Sequence, residues 1–197
     1  MLYGHSWGGF AVTAVLNKDH DISAVVSIAA YATPMSMIHE NTRSSMGIFT
    51  NFVRPFLWAY QRFLFGQHLN LSAIDGINNV ITLVMVIHGT ADDLIAYGGT
   101  SIIAKREYII NPNVTFITHT LPHHNGHNNI VRDITVQSHI DAFNQQWRDR
   151  WDYHNGPIPE EEAATLFASI RPHASKLNLT LMQEINAFFE ASKVTAS

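Results

Sequence analysis

The sequence feature that most constrains the fold is the segment GHSWG at residues 4–8, which has the pattern G-x-S-x-G. This pattern is typical of a sharp turn between a strand and a helix, on which the serine hydroxyl stands clear of the backbone. Ser6 would take the apex at strained backbone angles, and Gly4 and Gly8 would let strand and helix approach closely. Trp7 follows at the first helical turn, where backbone N–H groups lack an intrahelical acceptor and can face an oxyanion. The segment therefore predicts a strand, a turn with an exposed serine, and a helix.

The apolar pattern that follows indicates an α/β fold. Residues 10–16 are compatible with a helix, whereas residues 22–30 and 80–87 are apolar runs typical of buried strands. Residues 114–118 (VTFIT) have the composition of one more core strand. Because continuous apolar strands are covered on both faces, we expect a mostly parallel sheet flanked by helices.

Two polar segments directly follow predicted strands. The strand at 80–87 runs into HGTADD at residues 88–93, on the side where open α/β sheets bind ligands. The strand at 114–118 precedes a loop that carries four histidines, namely His119, His123, His124 and His127. A metal is one interpretation of such a cluster. The carboxylate ligands and the helical i, i+4 pairing of common zinc motifs are absent, so we expect neither a metal nor another cofactor.

In combination these motifs resemble the α/β-hydrolase family of serine hydrolases, over about residues 4–151. That family presents its triad in the chain order Ser, acid, His. The resemblance implies that Ser6 is the nucleophile, that Asp92 in the H-G-x-x-D position is the acid, and that His127 is the base. Trp7 would supply one oxyanion N–H.

Two of these choices have alternatives. For the acid the rival is Asp93, and either aspartate also suits the N-cap of a helix predicted over 99–110. For the base the second choice is His124. His88 is expected to shape the turn rather than to titrate in catalysis.

The resemblance also predicts a structural role for residues 32–79, which lie between two predicted core strands. The family places its helical cap at this point, and residues 52–65 are apolar at helical spacing. A helix packed on the core and a lid over the substrate pocket would both present such a face. As a lid, it would contact apolar acyl or aromatic groups of the substrate through Phe52, Phe56 and Trp58.

The chain is predicted to divide into a catalytic core at 1–156, including the cap, and a helical extension at 157–197. A helix from residue 130 onward has its apolar residues on one face and is expected to pack on the sheet. Residues 180–183 (TLMQ) have the pattern of a capping box that opens a last helix. That helix would cover the sheet or the cap.

The activity implied by the resemblance is hydrolysis of carboxylic esters or related acyl substrates, through an acyl-enzyme. A prolyl-oligopeptidase-like peptidase is the alternative, although no group that would bind a charged peptide terminus is identifiable. A metal-dependent hydrolase built on the histidine loop would differ by its sensitivity to chelators.

The chain begins only five residues before Ser6. The family has several strands and helices there, including the loop with the second oxyanion amide. We therefore expect a fragment whose N-terminal half, with any targeting segment, is absent. A catalytically incompetent or weakly active remnant is then a further possibility, since a central strand would be left with an unpaired edge.

The composition of the chain limits the kinds of partner that it is expected to bind. With a net charge of −4 and no basic tract, the chain is not expected to bind nucleic acid. Its longest uninterrupted apolar run is five residues, compared with the ~20 that a membrane-spanning helix needs, so no membrane segment is expected. The absence of cysteine excludes disulfides but leaves the compartment open. The expected partner is a small acyl substrate.

Overall fold

A four-stranded, all-parallel sheet forms the centre of the fold, with the strands in chain order. The computed structural model describes residues 1–18 and 21–195, so the last two residues of the predicted extension at 157–197 lie outside the described residues. The strands are β1 (Leu2–His5), β2 (Ala24–Ile28), β3 (Leu83–Gly89) and β4 (Val114–His119). The predicted α/β class with a parallel sheet is confirmed.

Helices flank this sheet on both faces. The α-helices of the described residues are α1 (Trp7–Ala14), α2 (Pro34–Met46), α3 (Thr50–Phe65), α4 (Ala73–Asn78), α5 (Thr135–His154), α6 (Glu160–Ala174) and α7 (Leu179–Thr195). Short 3₁₀ helices cover Val15–Asn17, Gly47–Phe49, Gly66–Asn70, Ile103–Tyr108 and Asn129–Val131. Within the described residues, no helix is both long and apolar enough to cross a membrane.

The core has one apolar layer on each side of the sheet. On one face Val25 and Val84 join a cluster with Ile77 of α4. On the other face, strand residues of β2 and β3 join a cluster with Leu181 and Ile185 of α7. Helix α7 therefore covers the sheet, the first of the two positions predicted for it, and its side chains are part of the core.

Helix α5 does not pack on the sheet, and that expectation was wrong. Its Phe143 and Trp147 rings instead contact Phe167 of α6, with ring centroids 5.4 and 5.3 Å apart. The physical reason is that α7 covers the face of the sheet on which side chains of β2 and β3 cluster with Leu181 and Ile185. The apolar side of α5 packs against α6 instead.

Two predicted helix starts also differ. Helix α7 is capped by Asn178, whose Oδ1 accepts a hydrogen bond of 3.2 Å from the Leu181 N–H, and not by a capping box at 180–183. The predicted helix over 99–110 is only the 3₁₀ turn Ile103–Tyr108. Neither aspartate of the HGTADD segment caps it.

The cap predicted at 32–79 contains α2, α3 and α4. Helix α2 begins at Pro34, after Thr33, whose Oγ1 accepts from the Ser36 N–H at 3.3 Å. Helix α3 follows the predicted apolar spacing, but all six of its aromatic side chains, Phe52, Phe56 and Trp58 included, are exposed. Its apolar face is thus directed to solvent and not to the core.

Strand β1 and helix α1 approach closely at Gly4 and Gly9. A Cβ on Gly4 would lie 2.2 Å from the Gly8 carbonyl oxygen, and one on Gly9 would lie 2.8 Å from Cβ of Ala30. A Cβ on Gly8 would meet no atom within 4 Å, so the predicted packing role belongs to Gly9 and not to Gly8.

Substitution of Gly4 by Ala should therefore destabilise the protein by about 3 kcal/mol, the upper end of the usual cost of overpacking, because the clash is with backbone. Gly8→Ala is the matched control and should cost nothing, since helix interiors favour Ala over Gly. Urea unfolding of both variants tests this. Equal midpoints for the two variants would contradict the packing described here.

Candidate active site

Ser6 lies on the turn between β1 and α1 in a strained backbone conformation. Its φ is 57° and its ψ is −119°, a region that L-residues rarely adopt and that costs about 1–3 kcal/mol. Two hydrogen bonds hold it there, from the Ser6 N–H to the Ile28 carbonyl (2.8 Å) and from the Phe10 N–H to the Ser6 carbonyl (3.0 Å). The strain is therefore maintained by the sheet and by the first turn of α1.

Three side chains from separate loops meet at this turn. His127 Nε2 lies 2.9 Å from Ser6 Oγ, and His127 Nδ1 lies 2.8 and 3.0 Å from the two carboxylate oxygens of Asp92. His127 and Asp92 are buried. The hydroxyl, the imidazole and the carboxylate thus form one hydrogen-bonded chain.

The Asp92 carboxylate is surrounded by donors. Its Oδ1 accepts from the backbone N–H groups of Leu94 (3.0 Å) and Ile95 (2.8 Å), and His88 Nε2 lies 3.2 Å from Oδ2. Burial raises the pKa of Asp92, but hydrogen bonds from His127, His88 and the Ile95 amide outweigh it and hold that pKa well below its ordinary value. Asp92 is therefore a stable anion beside the imidazole.

His88 braces the turn that presents Asp92. It is fully buried, and its Nε2 lies close to two acceptors, the Asp92 carboxylate and the Ile95 carbonyl at 2.9 Å. Because both neighbours accept, we assign the proton of this ring to Nε2. Within the described residues Nδ1 has no partner. This contact is in line with the role in turn shaping that we predicted for His88.

The His127 loop is attached to both neighbouring loops. The Ala91 N–H donates to the Asn125 carbonyl at 2.8 Å, which joins it to the Asp92 turn. His5 Nε2 lies 2.7 Å from the His127 carbonyl oxygen, and burial lowers the pKa of His5, so the neutral ring donates to that oxygen. Sequence reasoning missed His5 because it occupies a variable position of the G-x-S-x-G pattern.

The alternative acid and base are not part of this arrangement. Asp93 is exposed, one residue beyond the turn that holds Asp92. His124 Nε2 is buried but has no hydrogen-bond partner among the described residues. The structure therefore brings Asp92 and His127 to Ser6, and leaves Asp93 and His124 outside.

An apolar cavity of about 150 Å³ lies beside Trp7, the residue after the serine. It is lined by Trp7, Phe10, Pro34, Phe65, His68, Leu69 and Leu71. The buried Tyr31 ring supports this wall, stacking on Phe10 at 4.8 Å and meeting Trp7 edge-on at 5.6 Å. The segment predicted as a cap thus contributes to the cavity beside Trp7, but Phe52, Phe56 and Trp58 do not line it.

Among residues 1–18 and 21–195, no group of three or more His, Asp or Glu side chains is arranged to hold a metal ion. The four histidines of the 119–127 segment lie in different environments. His123 is exposed with a φ of 66°, whereas His127 is buried against Asp92.

Of the comparisons made with known proteins, only the comparison with solved structures found matches. No family model matches the chain, and no curated protein does. A Pyrococcus horikoshii acylaminoacyl peptidase is 14% identical over 66% of this chain and 20% of its own, with a TM-score of 0.44. An esterase from Pyrococcus furiosus is 17% identical over 75% of this chain and 49% of its own, with a TM-score of 0.40.

A third similar structure is an alpha/beta fold family hydrolase from Bacillus anthracis, 14% identical over 75% of this chain and 65% of its own, with a TM-score of 0.41. The chain resembles α/β-hydrolases. This is the resemblance that the sequence indicated, and it is distant and partial. The chain spans between a fifth and two thirds of the length of these proteins.

The lowered pKa of Asp92 predicts an acid-sensitive contribution to stability. A carboxyl whose pKa is lower in the folded than in the unfolded chain stabilises the fold above its unfolded pKa of about 3.9, and this contribution is lost as the pH falls toward the folded pKa. The free energy of unfolding of wild type should therefore exceed that of Asp92→Asn at pH 7, and the difference should shrink below about pH 4. Urea unfolding from pH 7 to pH 3 measures this. A difference that is constant over this range would contradict the assignment.

Proposed function

We propose that this chain is a serine hydrolase that cleaves carboxylic esters or related acyl substrates through an acyl-enzyme on Ser6. The observation that carries the proposal is the continuous contact from Ser6 Oγ through both nitrogens of His127 to the Asp92 carboxylate. A serine hydroxyl becomes a useful nucleophile when a positioned base removes its proton, and this contact provides the base.

The first step transfers the acyl group to the serine. As Ser6 Oγ bonds to the carbonyl carbon, its proton moves to His127 Nε2, and the carbonyl π electrons move to the oxygen. Asp92 accepts the Nδ1–H of His127 throughout, which holds the imidazole in the required tautomer and stabilises its protonated form. The intermediate then collapses, the bond to the leaving alkoxide breaks, and His127 returns the proton to it.

The second step releases the acid. A water molecule attacks the acyl-enzyme while its proton moves to His127 Nε2, and the bond to Ser6 Oγ breaks as that proton returns to the serine. In both steps an oxyanion develops on the substrate carbonyl oxygen. The Trp7 N–H, at the first turn of α1, is the proposed donor to it; removal of one such donor typically costs about 10² to 10³ in rate.

The cavity beside Trp7 supports an apolar acyl group as the substrate's recognised part. Its lining is aromatic and aliphatic except for His68, so it offers no charge that would bind a peptide terminus. At about 150 Å³ it is also smaller than the ~300 Å³ at which pockets for drug-sized ligands begin, which favours short acyl chains. Ester hydrolysis therefore fits this cavity better than cleavage of peptides does.

A panel of p-nitrophenyl acyl esters and aminoacyl p-nitroanilides tests the proposed substrate class. We expect turnover of the esters with an initial burst of p-nitrophenol, and a preference for short acyl chains that Phe10→Ala weakens. Faster turnover of the anilides, after correction for their intrinsic reactivity, would favour the peptidase alternative.

A further inference from the structure

Helix α3 presents its apolar stripe to solvent. Phe52, Phe56 and Phe63 follow one another at helical spacing and are 74%, 75% and 85% exposed. The opposite side of the helix is the less exposed one, with Thr50 buried and Leu57 half-buried. A surface helix of a globular protein normally has the reverse arrangement, with its apolar stripe on the core.

Neighbouring side chains enlarge this stripe into a patch. The aromatic patch, as we call it, consists of Ile48, Phe49, Phe52, Phe56, Tyr60 and Phe63, all of them exposed. Successive members stand three or four residues apart or are adjacent, so the patch runs continuously along one side of the helix and the 3₁₀ turn before it. Exposed apolar patches of this kind mark sites of interaction with a membrane or another protein.

The sequence segment that carries the aromatic patch has only positive charges. Between Glu40 and Asp75 the sequence has no acidic residue, but it has Arg43, Arg54 and Arg62. All three arginines are exposed, and within the described residues none forms an ion pair. Since the chain as a whole has a net charge of −4, this segment differs in sign from the rest of the protein.

We propose that the aromatic patch binds the surface of an anionic lipid bilayer. Helix α3 would lie in the plane of the membrane, with the phenylalanine rings at the boundary between headgroups and acyl chains and the arginines against the anionic headgroups. At 16 residues with two arginines, α3 is too short and too polar to span the ~30 Å of a bilayer core, so it binds along the surface.

The charges favour lipid over a second copy of the chain. Two copies that met symmetrically through the aromatic patch would bring their arginines together without a carboxylate to compensate them. Anionic headgroups provide that compensation, and Trp58 and Tyr60 on the same helix are of the residue types enriched at membrane interfaces. Neither Ser6 nor His127 belongs to the patch, so this inference goes beyond the proposed function and does not rest on it.

Co-sedimentation with vesicles tests the proposal, with the Ser6→Ala chain as the starting protein so that lipid hydrolysis cannot interfere. Vesicles of phosphatidylcholine are compared with vesicles of phosphatidylcholine and phosphatidylglycerol. We expect binding to the mixed vesicles to be stronger by roughly 10- to 100-fold, because each arginine near an anionic surface contributes about 1 kcal/mol.

Two sets of substitutions separate the apolar and the charged contributions. A triple variant with Phe52→Ser, Phe56→Ser and Phe63→Ser should abolish binding to both kinds of vesicle. A second triple variant with Arg43→Gln, Arg54→Gln and Arg62→Gln should remove only the preference for anionic lipid. The matched control replaces three exposed apolar residues elsewhere, Ile81, Ile110 and Leu179, which are 86%, 78% and 69% exposed, by Ser. This control should bind as the starting protein does.

Two results would overturn the proposal. One is a folded monomer that binds neither kind of vesicle. The other is a dimer in light scattering that the phenylalanine substitutions dissociate, in the absence of vesicle binding, which would identify a second copy as the occupant. Because neither readout uses hydrolysis, failure of this proposal is distinct from failure of the proposed function.

Discussion

Replacement of Ser6 by Ala is expected to lower kcat for a p-nitrophenyl ester by about 10⁶-fold, the size of loss seen when a triad serine is removed from a working enzyme. The reason is that the oxygen 2.9 Å from His127 Nε2 is the atom that would bond to the acyl carbon, and Ala has no substitute for it. The Cβ is retained, so the turn at Ser6 should keep its strained backbone. Steady-state hydrolysis measures the loss, and urea unfolding checks that the variant folds.

The control for this experiment is Ser44→Ala on helix α2. Ser44 is exposed, and its hydroxyl donates to the Asn41 carbonyl of the same helix. Its replacement should leave hydrolysis unchanged. If Ser6→Ala retained more than about a tenth of wild-type kcat, a nucleophile at Ser6 would be ruled out, because loss of triad function is far larger than that.

Replacement of Asp92 by Asn is expected to lower kcat by about 10⁴-fold, as a triad acid does when its carboxylate becomes an amide. The amide is nearly isosteric, but it carries no charge and offers one acceptor where the carboxylate offers two. It therefore no longer holds His127 Nδ1–H, now bonded at 2.8 Å, in the tautomer that leaves Nε2 free to accept the serine proton.

Asp93→Asn is the matched control, since it makes the same chemical change one residue later. Asp93 is exposed and does not contact Ser6 or His127, so the hydrolysis rate of Asp93→Asn should equal that of wild type. Loss of activity in Asp93→Asn together with normal activity in Asp92→Asn would reverse the assignment of the acid.

The parts of the structure that sequence predicted well are those in which local pattern and chemistry agree. Apolar, β-branched runs became β2 and β3, because strands buried on both faces need apolar residues at every position. The run at 114–118 became the edge strand β4, whose residues are half-buried or exposed. The G-x-S-x-G segment became the turn at Ser6. The family resemblance selected Asp92 and His127 from the order of motifs along the chain. The structure brings both side chains to Ser6, because the carboxyl ends of parallel strands meet at one edge of the sheet.

The features of the fold that the sequence did not predict depend on what covers the apolar face of each helix. Helices α3 and α5 both have apolar residues at helical spacing, yet α3 directs them to solvent and α5 to α6. Helical periodicity identifies an apolar face without identifying what covers it. The same limit applies to the choice of cap residues, because Phe65 and not Phe52, Phe56 or Trp58 lines the cavity beside Trp7.

The sequence also did not predict the roles of some individual residues inside the motifs. Gly9 and not Gly8 is the helix position at which a side chain would clash with the sheet, and only the relative orientation of helix and strand decides between them. His5 supports the His127 backbone across 122 residues of chain, a contact that no local pattern encodes.

We propose that Ser6 is an activated nucleophile, and intact mass spectrometry after exposure to a fluorophosphonate tests this directly. We expect one adduct on wild type, slower formation of that adduct on Asp92→Asn, and none on Ser6→Ala. An adduct on Ser6→Ala, or no adduct on wild-type protein shown by urea unfolding to be folded, would contradict a nucleophilic role of Ser6.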